Sequence, residues 1–482
     1  MDYVLHLVSG GAGNLAAYLA AHVLLCLLPA FFIAGAMAAL IPKASITRWL
    51  GRNTPAFVSY PAAAAAGSLL AVCSCTIVPL FAGIYRKGAG VGPAITFLFF
   101  APAGNIMALA YTGSILGLEF AFARLLLCLL FGIGIGLLMA MLFWRDDATH
   151  DAQTDMLFAD KARVGPAATG LLLSMVALLI AGTLKLWPLT TTVATVNLPL
   201  EWADSWQSTL FAWVPFDAAK GEEGVTFQGS MLILLLMAIA LTAWKGLEDI
   251  IEGANRWTWA TLGLTAATLL VAALRFTPQA GGLELAITGR FFAVAACLWA
   301  VWHYAGALEV DDLQAWLWEA WRFVKQIFGL LIVGVFIVGV VRQIIRPEWI
   351  ESLAGSNSIT ANMVAVVFGV FMYFPTLVEV PVAKMFLDLG MHPGPLLAYL
   401  MADPELSLQS ILMVIAVIGR KKTFAYVGMV AVFSVMAGLL YGSWVDGMSA
   451  LRLALSLLAF IAVLGALLLA LHRRQNAVAV GS

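Results

Sequence analysis

The sequence predicts an all-α polytopic membrane protein built of two repeated units of about five helices, with discontinuous helices and about 12–14 spans. Composition is the first reason. Of 482 residues, 62% are hydrophobic and 11% charged, whereas a soluble globular chain is nearer half apolar and a quarter charged. Mean hydropathy is +0.95. The second reason is the length of the apolar runs. They suit membrane-crossing helices rather than the short alternating strands of a barrel. The third is an internal repeat at a fixed offset of 302 residues. A net charge of −1 with scattered Lys and Arg leaves no footprint for nucleic acid.

A span needs about 20 apolar residues. Segments 15–41, 56–84, 91–115, 118–144 and 167–188 qualify in the first part of the chain. Segments 229–245, 258–275 and 287–306 follow in the middle, then 322–345, 359–386, 393–418, 423–444 and 449–471. The first run is longer than a signal-peptide core, and residues 1–13 carry no Lys or Arg, so it reads as a spanning helix. Segments 56–84 and 359–386 are each long enough for a span plus a short re-entrant piece.

Between the spans, 145–165 is a charged loop of mixed sign. Segment 190–228 carries Trp202, Trp206 and Trp213 and is expected to lie at headgroup level. Segment 308–326 reads as an amphipathic helix leading into a span, with Trp316, Trp318 and Trp321 near the interface.

The repeat rests on glycines and prolines, which mark backbone geometry. Gly67 meets Gly369, Val78–Pro79 meets Val380–Pro381, and Gly92–Pro93 meets Gly394–Pro395. Pro102 meets Pro404, Gly117 meets Gly419, and Gly136 meets Gly438. The chain therefore divides into a first repeat unit (1–189), an inserted loop with extra transmembrane helices (190–321) and a second repeat unit (322–482). Arg420, Lys421 and Lys422 suit a cytoplasmic face in either arrangement. Arg86, Lys87 and Arg145 would join them there only if the repeats are inverted, so parallel and inverted plans both stay open.

The stretch 67–115 carries the first chemistry. Cys73, Ser74 and Cys75 sit together and Pro79 follows; later, Pro102 and Gly104 break a second apolar run, with Asn105 beyond. Broken helices with polar groups at mid-membrane depth are where transporters hold substrates. Thiolates favour soft ions and trivalent metalloids. Residues i and i+2 share no helix face, so both sulfurs reach one cavity only where the helix unwinds, as Pro79 permits. The plain alternative is that two small polarisable residues let helices pack closely. Cys26, Cys128 and Cys297 read as packing residues, with no disulfide framework. Asn105 is placed to bond either a substrate or free backbone carbonyls.

The second repeat carries acid instead. Glu379 lies in an apolar run, at the place of Ile77 on the offset, with Pro381 just after it and Lys384 as a partner in reach. An intramembrane carboxylate points to function; the alternative is a structural ion pair. Asp403–Pro404–Glu405 aligns with Ala101–Pro102–Ala103. Two close carboxylates could bind a cation or share a proton, unless the segment lies nearer the surface. Arg124 pairs either with Glu119 or with a residue of the other half. Arg86, Lys87, Asp388 and His392 read as solvated turn charges. No Walker sequence, GxSxG, HExxH or CxxC occurs, so no cofactor and no enzyme activity are expected.

The stretches CSCTIVPLFAGIYRKGAGVGPAITFLFFAPAGNI and EVPVAKMFLDLGMHPGPLLAYLMADPELSLQSIL resemble the two signature regions of a bacterial and archaeal family of predicted permeases. The family includes the ArsP-type organoarsenical efflux permeases. The resemblance implies a permease of the plasma or bacterial inner membrane, with the lipid bilayer and a small-molecule or ion substrate as its partners. In arsenic-exporting members, cysteines bind trivalent arsenicals. By position, Cys73 and Cys75 match the family's Cys-Ser-Cys, and Glu379 and Pro381 its Glu-Val-Pro. The usual Ala-Gly-Pro-Ala-Leu-Ser is here Ala402–Asp403–Pro404–Glu405–Leu406–Ser407. That acidic site suits a cation, or proton-coupled exchange, at least as well. The expectation is a secondary transporter exporting a soft solute such as a trivalent organoarsenical. The alternatives are a cation transporter and a membrane-embedded sulfur or redox protein using the cysteine pair. Homo-oligomerisation is left open.

Overall fold

A computed structural model describes residues 2–480 except 22, 42, 53, 70–73, 148, 150–164, 184–186, 215, 218–221, 280–281, 345–347 and 372–378. In chain order, α1 (Asp2–Ala21) and α2 (Leu28–Leu40) are followed by α3 (Lys43–Leu50), α4 (Ala56–Leu69) and α5 (Ser74–Arg86). Next come α6 (Val91–Ala103), α7 (Ile106–Ile115), α8 (Leu118–Leu142) and α9 (Pro166–Thr183). The middle holds β1 (Thr192–Leu198), α10 (Trp202–Trp213), α11 (Phe227–Gly246) and α12 (Arg256–Ala273). It continues with β2 (Arg275–Gln279), β3 (Gly282–Thr288) and α13 (Gly289–Gly306). The rest is α14 (Val310–Arg342), α15 (Glu348–Ala354), α16 (Ile359–Phe371), α17 (Glu379–Asp388), α18 (Pro393–Leu406), α19 (Leu408–Ile418), α20 (Arg420–Val445) and α21 (Ala450–Val480).

The first run is not one straight helix over 15–41. A five-residue π-helical turn, Val23–Leu27, separates α1 from α2. Pro29, the second residue of α2, gives no N–H and crowds the carbonyl four residues back. The amphipathic segment and the span after it form the single helix α14. A small sheet, in the order β1–β3–β2, is absent from the all-helical expectation. Thr192, Val193, Thr195 and Val196 are β-branched, which suits a strand.

Among the described residues, seven helical segments are long and apolar enough to cross a membrane, or eight if the bent pair α18–α19 is one span. Segments 4–20, 28–40 and 359–371 are shorter apolar helices. The larger number expected from the sequence counts further runs: 15–41 is divided by the π-helical turn, α12 and α13 are only 18 residues long, and 56–84 and 359–386 run over residues outside those described.

The helices form two compact units. One comprises Met1–Pro42, Ala82–Ile84 and Asp160–Gln343, the other Lys43–Phe81, Tyr85–Ala159 and Ile344–Ser482. They cut across the sequential division, because packing rather than chain order groups the helices.

In the first unit, α14 packs against α1 and α2, α9 against α13 and α2, and α11 against α12. Leu24, Leu178, Leu232, Leu269 and Val294 form a buried cluster. Two long-range bonds fix α14: Asn14 Nδ2 donates to the Val335 carbonyl at 2.9 Å, and Trp316 Nε1 to the Phe32 carbonyl at 2.8 Å.

In the second unit, α6 packs between α4 and α8, and α18 between α16 and α20. Further contacts join α18 to α6, α20 to α8 and α17 to α7. Helices α6, α7 and α8 begin at Val91, Ile106 and Leu118; α18, α19 and α20 begin at Pro393, Leu408 and Arg420. Each start lies 302 residues after its counterpart. Gly117 and Gly419 precede the long helices with φ of 101° and 80°, a region that favours glycine. A Cβ on Gly67 would lie 3.1 Å from the Ala101 nitrogen, and one on Gly369 would lie 3.1 Å from the Asp403 nitrogen. Both close approaches seat the preceding helix against the end of a broken one.

Candidate functional site

The site is built on two helix breaks in the second unit. At the first, α6 stops at Ala103, Gly104 follows, and Asn105 caps α7. Asn105 Oδ1 accepts from the Ala108 N–H at 2.8 Å, while Nδ2 donates to the carbonyls of Ala101 and Pro102 at 2.9 and 3.1 Å. Of its two expected uses, the amide serves the freed backbone groups at the break. At the second, α18 runs through Pro404 to Leu406, Ser407 stands at the junction, and α19 leaves at 46°. Ser407 Oγ donates to Ser410 Oγ at 2.7 Å. Pro102 and Pro404 therefore lie just inside the helices that end at the breaks. Pro79 is inside α5. Pro381 is the third residue of α17, a first-turn position where a missing N–H costs little.

Arg124 of α8 reaches the first break. Its Nε donates to the Ala103 carbonyl at 3.1 Å and Nη1 to Thr112 Oγ1 at 3.0 Å. Nη2 donates to Glu379 Oε1 at 2.5 Å and to the Leu400 carbonyl at 3.4 Å. The Arg124 and Glu379 side chains are both fully buried. One guanidinium thus ties α6, α7, α17 and α18 together. Of the two partners expected for Arg124, the distant one is realised; Glu119 instead accepts from the Trp444 indole.

Lys384 is not the partner of Glu379. Five residues turn a helix about 140° from the start, and Lys384 bonds Asp388 at 2.6 Å. Glu379 opens α17, where a carboxylate suits the positive end of the helix. Its second oxygen, Oε2, has no hydrogen-bond partner among the described residues.

Asp403 and Glu405 are buried, not superficial, at 0% and 4% exposure. They do not form the close pair expected from the sequence. Helix α18 continues through them, so two residues set them about 200° apart. Glu405 Oε2 accepts from the Tyr426 hydroxyl of α20, while Oε1 has no hydrogen-bond partner among the described residues. The Gln409 amide, just past the junction, is also buried with neither end bonded among them. Cys128, one turn from Arg124, is buried and donates to the Ala103 carbonyl at 3.5 Å. Its thiol is near enough to feel the charges of Arg124, Glu405 and Glu379.

Tyr426 escaped the sequence reading. The signal was there: the 302-residue offset sets Tyr426 on Arg124 and Glu405 on Ala103. Cys73 lies outside the described residues, as do the side chains of Ser74 and Cys75, which open α5. The expected convergence of the two sulfurs on one cavity falls there too. No group of three His, Cys, Asp or Glu placed to hold a metal occurs among the described residues. Two expected solvated charges are engaged instead. Lys87 is 3% exposed. His392 Nε2 contacts Asp446 at 2.9 Å, while its Nδ1 accepts from the Gly394 N–H at the start of α18.

A buried ion pair stabilises little by itself, because desolvation offsets most of the attraction. Intramembrane charges are costly and mark substrate or ion pathways. Here they collect at interrupted helices in a bundle of apolar segments.

This is the organisation of a multi-pass membrane permease. The chain belongs to the ArsP_1 family, described as predicted permeases, whose family model matches residues 9–443. It is also 32% identical over 446 residues to UPF0718 protein MJ0584 of Methanocaldococcus jannaschii, a match covering 92% of this chain and 98% of that one. No solved structure matches it. Membership in this family, with several apolar helices, places the protein in the cell membrane.

Proposed function

We propose that this permease is a secondary transporter that exports a soft solute, such as a trivalent organoarsenical, by exposing a site between its broken helices to each side in turn. The two sets of interrupted helices act as copies of one unit. Cys73 and Cys75 hold the solute through sulfur, which suits a soft acceptor. Proton exchange at Glu405 biases which side is open. Only a difference in affinity between the two states drives such a shift.

The observation that carries this reading is the burial of Arg124, Glu379, Glu405 and Tyr426 at two helix breaks. Glu379 is neutralised by Arg124 in this conformation. Glu405 faces a neutral hydroxyl, so it can change protonation without breaking that ion pair. A cation transporter is the second reading, favoured by Glu405 Oε1, which is buried with no hydrogen-bond partner among the described residues. Reconstituted vesicles, assayed with arsenicals and with soft and hard metal ions under an imposed pH gradient, separate the two. Export of the arsenical that needs the cysteines supports the first; transport of hard cations that ignores the cysteines supports the second.

A further inference from the structure

Helix α8 and its counterpart α20 lie side by side in the second unit. Phe131 of α8 and Phe433 of α20 pack edge to face, with ring centres 5.1 Å apart. They stand 302 residues apart, so each meets its own counterpart, as happens where a two-fold axis passes. The contacts on either side of this pair run in opposite senses. Near the start of α8, Phe120 packs on Tyr441 at 5.0 Å and Glu119 accepts from the Trp444 indole, both partners lying near the end of α20. Just past the end of α8, Phe143 and Asp146 meet Lys422 near the start of α20. The two equivalent helices are therefore antiparallel.

They have 25 and 26 residues. At 1.5 Å per residue each is about 38 Å long, more than the ~30 Å hydrocarbon core. Their ends therefore lie on opposite sides of the membrane. The broken helices follow the same plan. The Val91 N–H at the start of α6 donates to Asp147 Oδ1, past the end of α8, at 3.0 Å. His392, just before α18, contacts Asp446, past the end of α20, at 2.9 Å. So α6 and α18 start from opposite sides. Arg86, Lys87, Arg145, Arg420, Lys421 and Lys422 collect on one side, while Glu119 and Asp446 stand on the other. The excess of Lys and Arg marks the first side as cytoplasmic.

We infer that the two repeats are inverted about an axis between Phe131 and Phe433, and that Lys422 and Trp444 gate a pathway between them, Lys422 on the cytoplasmic side and Trp444 on the outer side. This rests on the alternating exposure proposed above and names what closes each side. Lys422 Nζ donates to the Tyr85 hydroxyl at 3.1 Å, lies 3.9 Å from Asp146 Oδ2 and sits over the Phe143 ring. It ties the second repeat to the first at one face. The Trp444–Glu119 bond, with Phe120 against Tyr441, ties them at the other. Arg124 on α8 and Tyr426 on α20 lie between the two ties along their helices. A pathway between the repeats opens on one side when the tie there parts. Weakening one tie therefore raises the population open on its side.

Two measurements on the full-length protein test this. Arg145 and Asp446 are exposed and follow the ends of the two equivalent helices. Arg145→Cys and Asp446→Cys are treated with a membrane-impermeant maleimide in intact cells and in everted vesicles, and the labelled peptides are read by mass spectrometry. Asp446→Cys should react from outside and Arg145→Cys from inside. Reaction of both from one side overturns the inversion; the reverse pattern overturns the assignment of each gate to its side. The second measurement follows the native Cys128, buried at 0% exposure and 3.5 Å from the Ala103 carbonyl at the first break. Lys422→Gln should speed its modification from inside, and Trp444→Phe from outside, by about threefold or more. Modification that both variants leave unchanged, or speed equally from both sides, overturns the gates. Neither labelling needs a transported solute, so failure of the proposed substrate and failure of the gates are told apart.

Discussion

Arg124 and Glu379 form a fully buried ion pair, Nη2 to Oε1 at 2.5 Å, between residues 255 positions apart. The same guanidinium also holds the end of α6 and the side of α7. A residue in the first half of the chain thus neutralises an acid in the second, at the place where a helix is interrupted.

Removing one partner leaves a buried charge uncompensated. Arg124→Ala should lower stability by about 3–5 kcal/mol, read as a large fall in the unfolding midpoint. The double variant Arg124→Gln, Glu379→Gln should recover much of that loss, because the remaining groups are neutral and can hydrogen-bond. A double variant as unstable as the summed losses of Arg124→Gln and Glu379→Gln measured singly would show that the pair is not coupled.

The close approaches at Gly67 and Gly369 give a second prediction. A methyl group would press on the backbone nitrogens of Ala101 and Asp403 at 3.1 Å, and backbone cannot move aside as a flexible side chain does. Gly67→Ala and Gly369→Ala should each destabilise by about 1–3 kcal/mol. The two losses should be similar, which thermal unfolding of the single variants measures.

A third concerns the first unit. Lys325 Nζ lies 2.7 Å from both carboxylate oxygens of Glu248, and Trp321 Nε1 donates to the same group at 2.7 Å. The bond from Lys325, then that from Trp321, holds the Glu248 carboxyl below its ordinary value of 4.5. A depressed folded-state value means stability that is present above the unfolded value and lost as pH falls through the folded one. Partial exposure keeps the contribution below about 1 kcal/mol. Glu248→Gln should therefore lower the midpoint slightly at neutral pH, and the difference from wild type should vanish in acid. A difference independent of pH would contradict the assignment.

Much of this was legible in the sequence, because spacing in apolar runs and the positions of Gly and Pro are local properties. Gly104, Asn105 and Ser407 mark the breaks by residue type alone. Partner choice was not legible. Lys384 is near Glu379 in sequence, but helical rotation carries it to another face, and the true partner comes from α8. Asp403 and Glu405 look like a pair until α18 continues through Pro404 and turns them apart. The strands at 192–198, 275–279 and 282–288 fall in the segment expected at headgroup level and around the turn between the spans expected at 258–275 and 287–306, where no strand was expected, although β-branched residues marked the first of them.

Uptake of a trivalent phenylarsenical into everted vesicles under an imposed pH gradient decides whether the cysteines carry the solute and Glu405 the coupling. Wild type, a Cys73→Ser, Cys75→Ser double variant and Glu405→Gln are compared. Gradient-dependent uptake is expected of the wild type, none above background of the cysteine variant, and, of Glu405→Gln, uptake that no longer follows the gradient. Uptake unchanged by loss of both cysteines would contradict the role given to them.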